Sequence, residues 1–66
     1  MNDQRPFGKR VKALRKTLGL SINELSWALE ITVSCIDQWE RMPKRVPQRR
    51  LRRVVEDFAK SQGVEF

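Results

Sequence analysis

Apolar residues recur along this chain at steps of three and four from Phe7 to Phe58, and no segment alternates with period two. A 3.6-residue helical repeat puts such positions on one face, whereas a half-buried strand needs strict alternation. The spacing therefore predicts an all-α chain. At 66 residues it makes one domain, residues 1–66, and a chain so short buries a small share of its surface and needs an economical core. A compact unit of four to five helices meets both conditions.

Local punctuation divides the pattern. Phe7, Val11, Leu14 and Leu18 mark one face of a first helix, and Gly19 suits a left-handed stop. Ser21 followed by Glu24 has the spacing of a capping box, in which the hydroxyl takes a first-turn amide and the carboxylate reaches back to the cap. A second helix should start at Ile22, carry Ile22, Leu25 and Leu29 inward, and last about two turns, because Thr32 and Ser34 offer fresh N-cap chemistry soon after. A third helix is expected from Val33 to about Arg41 with Ile36 inward. Pro43 and Pro47 then bracket the loop RMPKRV. Pro47 fits the first turn of a fourth helix, whose stripe is Leu51, Val54, Val55 and Phe58 up to Gly63.

Charge is distributed unevenly over these elements. The chain has 14 Lys and Arg against 8 Asp and Glu, a net charge of +6, which favours a polyanionic partner. Yet residues 21–40 hold Glu24, Glu30, Asp37, Glu40 and no cation, a net of −4, whereas residues 41–53 hold seven cations and no acid, a net of +7.

Several functions have no support in the composition. Without histidine, a G-x-S-x-G motif or a Gly-rich phosphate loop, the usual acid-base and nucleophile sets are missing, and the adjacent Glu56 and Asp57 diverge on a helix. No enzyme activity is expected. The single Cys35 cannot form an internal disulfide, and the usual zinc ligand sets are lacking, so no metal or cofactor is expected. MNDQRPFGKR has no apolar run of signal-peptide type and no window approaches the roughly 20 apolar residues of a membrane span, so a cytoplasmic chain is expected.

The run GLSINELSWALEITVSCIDQWER, residues 19–41, resembles the helix-turn-helix of the Cro and lambda-type repressor family, and the similarity extends from about Phe7 to Phe58. Its most specific elements are the lead-in from Arg15 to Gly19, Ser21 with Leu25, Leu29 to Thr32, Ile36, and Trp39-Glu40-Arg41. The chain departs from the family at three places. Ile22 stands where Gln is usual, Ser26 where Ala is usual, and Glu30 where Gly is usual, so that Glu30 must either take a left-handed conformation or reshape the turn.

The resemblance implies a transcription regulator that binds double-stranded DNA as a homodimer, with the third helix entering the major groove N-terminus first. Base-reading positions then fall on Val33, Ser34 and Gln38, with Asp37 a further candidate one turn beyond Val33. Gln38 can pair bidentately with adenine, Val33 can pack on a thymine methyl, Ser34 is permissive, and Asp37 can accept from cytosine N4. Phosphate contacts fall on Ser21 and Thr32 at the caps, on Arg41, Lys44 and Arg45 in the loop, and on Arg49. Arg15 and Glu40 correspond to an ion pair tying the first helix to the third. Dimer contacts fall on Val64 and Phe66, unless that tail folds back on its own core. No small-molecule effector or membrane partner is implied.

On this view the uneven charge has a cause: a groove-inserted helix reads base edges with short side chains, and the cations that engage phosphates belong on its flanks. The plainer alternatives are a helical hairpin with an Arg-rich solvated face, a Trp39 that is only a core anchor, a Trp27 that is only partly exposed, and a Cys35 that is only a small side chain rather than a redox switch. Two other functions are open. One is an antitoxin-like or adaptor module that binds protein through Trp27, Val64 and Phe66 with DNA binding secondary; the other is a basic amphipathic segment, residues 48–60, acting at membranes.

Overall fold

The computed structural model describes residues 5–45 and 47–66. Among these the chain forms four α-helices and no strand: α1 (Phe7–Thr17), α2 (Ile22–Leu29), α3 (Val33–Arg41) and α4 (Arg49–Ser61). The all-α expectation holds with four helices. The expected loop between Pro43 and Pro47 includes Val46, which lies outside the described residues. No helix among the described residues is long and apolar enough to cross a membrane.

The local signals explain where the elements start and stop. Gly19 is left-handed at φ 68, and behind it the Leu20 amide donates to the Arg15 carbonyl at 3.0 Å and the Gly19 amide to the Lys16 carbonyl at 3.1 Å. This is a Schellman closure, which satisfies two carbonyls left open at the helix end. At the start of α2 the Ser21 hydroxyl accepts from the Glu24 amide at 3.1 Å, and the Ser21 amide donates to the Glu24 carboxylate at 2.8 Å. The capping box is therefore complete. Thr32 caps α3 by accepting from the Cys35 amide at 3.2 Å. One boundary differs from expectation: α4 begins at Arg49 behind an extended Gln48, so Pro47 lies before the cap rather than in the first turn.

The inward faces meet in one core. Phe7, Val11 and Leu14 of α1, Leu25 and Leu29 of α2, Ile36 and Trp39 of α3, and Val55 and Ala59 of α4 are all buried, together with Ile31 in the α2–α3 turn. α1 packs on α3, while α2 packs on both α3 and α4. The Phe7 and Trp39 rings meet edge to face with centroids 5.3 Å apart, a favoured aromatic geometry.

Only a residue without a side chain can stand where α1 crosses the end of α3. Gly8 is buried, its amide donates to the Pro43 carbonyl at 3.0 Å, and a Cβ there would lie 1.9 Å from the Trp39 carbonyl oxygen. Gly8→Ala should destabilise the domain by about 3 kcal/mol, the upper end of the usual overpacking cost, because the atoms in the way are backbone. The roughly 1 kcal/mol of helix propensity that Ala brings does not offset this. Urea denaturation checks the value.

The capping box also links stability to pH. Accepting the Ser21 amide and hydroxyl-side hydrogen bonds holds the Glu24 carboxyl below its ordinary value of 4.5. A carboxylate with a depressed folded-state pKa adds stability above its unfolded pKa and loses it as pH falls through the folded value. Stability should therefore decline on acidification below about pH 4.5, and Ser21→Ala should remove part of that decline while costing about 1 kcal/mol at neutral pH. Thermal melts between pH 7 and pH 3 provide the check.

Candidate nucleic-acid interface

Because α3 sets Ile36 and Trp39 into the core, its opposite side is presented outward. Val33, Ser34 and Gln38 are exposed, while Asp37 is half-buried and the Arg41 side chain is 78% exposed. The positions i, i+1, i+4, i+5 and i+8 share one outer face. The four expected base-reading residues are thus brought together on a helix about 13 Å long. Its width fits the roughly 12 Å major groove of B-DNA.

Asp37 and Arg41 are not independent, as the sequence assignment treats them. The Arg41 Nε lies 3.0 Å from the Asp37 carboxylate. Their i, i+4 spacing was the available signal for this pair. The contact is exposed, so it contributes about 0–1 kcal/mol and gives way readily to a phosphate for Arg41 or an amino donor for Asp37.

The two helix N-termini differ in what they offer an anion. At α2 the carboxylate of Glu24 already takes the Ser21 amide, which puts a negative charge where a phosphate would approach Ser21. At α3 the first turn holds no acid, so the outward amides after Thr32 retain the positive end of the helix dipole. Lys44, Arg45 and Arg49 are exposed beyond the far end of α3. Arg52 pairs at 3.7 Å with Glu56 along α4, while the exposed Arg49, Arg50 and Arg53 fall at i, i+1 and i+4 on one face of that helix.

The attitude of α3 is held by α1 and by the α2–α3 turn. Arg15 forms a two-pronged pair with Glu40, with Nε to Oε2 and Nη2 to Oε1 both at 3.0 Å, and its Nη1 donates to the Leu20 carbonyl at 3.2 Å. The hydrogen bond to Glu40 is the main reason that the Arg15 pKa is raised above its ordinary value. In the turn, Glu30 takes the left-handed option with φ 56 and ψ 39. The Ile31 amide then donates to the Ser26 carbonyl at 3.1 Å, and the buried Ser26 hydroxyl donates to the Ile31 carbonyl at 2.5 Å. In the sequence Ser26 is legible only as a small polar residue within α2. Its hydroxyl is a tie across the turn.

The C-terminal tail takes the folded-back course. Gly63 is left-handed at φ 70, and Val64 and Phe66 pack half-buried against the core. The Phe66 ring lies 5.7 Å from that of Phe7. The Arg10 guanidinium sits 4.3 Å over it and also donates to the Phe66 carbonyl. Val64 and Phe66, expected at a dimer interface, are therefore engaged within the protomer. Cys35 is half-buried beside the core. Trp27 is the opposite case: at 75% exposed it is the most open large apolar side chain described.

Comparison of the chain with protein-family models, with curated proteins and with solved structures gives no match. What the chain does must be inferred from its geometry.

The Arg15–Glu40 pair makes a measurable prediction. Both side chains are mostly buried, 19% and 12% exposed, so removing one partner strands a charge. Glu40→Ala should cost about 3 kcal/mol, whereas Arg15→Met combined with Glu40→Leu should recover most of that loss. A double-mutant cycle by urea unfolding tests it.

Proposed function

We propose that this chain is a sequence-specific double-stranded DNA-binding regulator that lays the outer face of α3 in the major groove. The observation that carries the proposal is an exposed polar surface on α3, comprising Ser34, Gln38 and Asp37 around Val33, with exposed cations at its C-terminal flank. Base discrimination falls to Gln38 first, by bidentate pairing to adenine, with Val33 against a thymine methyl and Ser34 and Asp37 beside them. Thr32, Arg41, Lys44, Arg45 and Arg49 hold the phosphates and set the register. Ser21 contributes less, since Glu24 stands at the same helix end.

Repression is the simplest outcome of this reading, because occupying a promoter is enough to block it. A two-fold homodimer would set two α3 helices about 34 Å apart on one side of a palindromic operator. Half-buried Val64 and Phe66 leave only their outer edges for such a contact. If about six phosphates are neutralised per dimer, the logarithm of affinity should fall with the logarithm of salt at a slope near −5.

A second reading, an antitoxin-like or adaptor module that binds protein, is favoured by the 75% exposure of Trp27. A mobility shift against a pool of random duplexes with excess nonspecific competitor separates the two. Enrichment of a short palindrome supports the regulator, and failure to select any sequence removes it.

Two substitutions test the division of labour. Gln38→Ala should relax preference at one base pair by roughly 1–3 kcal/mol and leave nonspecific binding intact, while Arg45→Ala should weaken all sequences alike and make the salt slope shallower by about 1. Equal loss of both binding modes in Gln38→Ala would show that α3 presents a different side.

A further inference from the structure

The first helix carries a feature that neither the core nor α3 uses. Its eleven residues, FGKRVKALRKT, include five cations and no acid. Two are occupied, Arg15 by Glu40 and Arg10 by Phe66. The other three, Lys9, Lys12 and Lys16, are exposed and lie at i, i+3 and i+7 on one side of the helix. They have no acidic partner among the described residues. Lysines three and four apart on a helix repel by a few tenths of a kcal/mol per pair, so their common surface is poised for an anion.

That surface is concave. Lys9, Lys12 and Lys16 line an open groove of about 340 Å³ together with Arg5, Glu40 and Pro43. Small residues, Gly8 and Ala13, form its inner wall, which is why it is hollow. Glu40 does not cancel the lysines, since its carboxylate is bound on both oxygens by Arg15. The groove also adjoins the proposed DNA-facing surface. Glu40 is three residues after Asp37 and seven after Val33, on the same edge of α3. Pro43, on the groove's rim, leads directly to Lys44 and Arg45. A continuous cationic band thus runs from the α3–α4 loop onto α1.

We propose that the α1 groove is a second backbone-binding surface that grips phosphates of the duplex beside those held by Arg41, Lys44 and Arg45. This rests on the regulator reading above and enlarges the contact it implies. The lysine row is about 10 Å long, at 1.5 Å per helical residue, and about three nucleotides of one strand rise over that distance at 3.4 Å each. Lysine is a flexible point charge without the planar fork that arginine uses for base edges and bidentate clamps, so this surface adds affinity without sequence preference. No large apolar side chain borders the groove, as insertion into a lipid surface would require.

The test uses the triple variant Lys9→Gln, Lys12→Gln, Lys16→Gln. Gln has nearly the helix propensity of Lys, and all three positions are exposed, so the fold should persist; circular dichroism verifies this. Binding to a random-sequence duplex is followed by fluorescence anisotropy across a salt series, with Lys60→Gln in the last turn of α4 as the control. The triple variant should lose affinity for every duplex alike, with a slope shallower by about 2 to 3 per protomer, down to the value near −5 that about six phosphates per dimer give without the α1 surface, and Lys60→Gln should match the wild type. Phosphate-ethylation interference should show sites that matter to the wild type and not to the triple variant. If the wild type binds with a salt-dependent slope that the triple variant retains, the α1 surface is refuted and the α3 reading survives. If the wild type binds no duplex at low salt, both fall. An equal loss in Lys60→Gln would refute the α1 location in favour of diffuse charge.

Discussion

The junction of α1 with the end of α3 governs the rest of the molecule. Two different contacts meet there. Gly8 lets the backbones close until its amide reaches the Pro43 carbonyl at 3.0 Å, and about two turns along α1 the Arg15 guanidinium clamps both oxygens of Glu40. The close approach sets the distance between the helices, and the two-pronged pair sets rotation, since a planar fork tolerates little twist. A mostly buried ion pair is weak evidence for net stability, but it penalises every arrangement in which the charges do not meet. With Trp39 held between Phe7 and the core, α3 cannot roll to bring another side outward. The exposure of Val33, Ser34 and Gln38 is thus a consequence of contacts made elsewhere around the same helix.

The α2–α3 turn shows how an unfavourable residue is accommodated. A left-handed conformation costs a residue other than Gly roughly 1–2 kcal/mol, and Glu30 adopts it. Opposing that cost is a reciprocal tie between Ser26 and Ile31, in which the carbonyl of each accepts a hydrogen bond from the other. A buried hydroxyl that meets its acceptor at 2.5 Å satisfies both groups, where alanine would leave the Ile31 carbonyl without that donor. Glu30 and Ser26 therefore belong together: the residue that strains the turn is matched by one that fastens it.

Much of this was legible in the sequence because helix boundaries and faces depend on local chemistry. The Ser21–Glu24 box, the Thr32 cap and the stop at Gly19 are interactions within a few residues, so spacing alone suffices to place them. The inward stripe of α3 follows from Ile36 and Trp39, and its outer face follows by subtraction. Pro47 was less legible because its fixed backbone suits the first turn of a helix and the stretch before it equally well. The Ser26–Ile31 tie, the Gly8 crossing and the groove beside α1 depend on how segments meet in space. A glycine near the start of a helix gives no sign in sequence that another chain segment will press against it, and a row of lysines reads as a solvated face until a neighbouring helix turns it into a wall. The tail was undecided for the same reason: Val64 and Phe66 could cover either a second copy or their own core, and only the position of Phe7 and Arg10 beneath them distinguishes the two.

Charge placement follows from the same architecture. On the proposed reading α3 cannot carry a row of lysines on its outer face without forfeiting the short side chains that would discriminate bases, so attraction would come from neighbours within reach of the same polyanion. At physiological salt that reach is about 8 Å, close to the width of one helix. The elements adjoining α3 at its C-terminal end are the loop that follows it and the flank of α1, and both are cationic. α2 with its C-cap, which adjoins the other end, holds Glu24 and Glu30 with no cation. A polyanion approaching this surface therefore meets a gradient across α3 rather than a uniform field, attractive toward Pro43 and repulsive toward Glu24. On the proposed reading such a gradient would orient a duplex before any base is touched, with side chains that leave the α3 surface free to select.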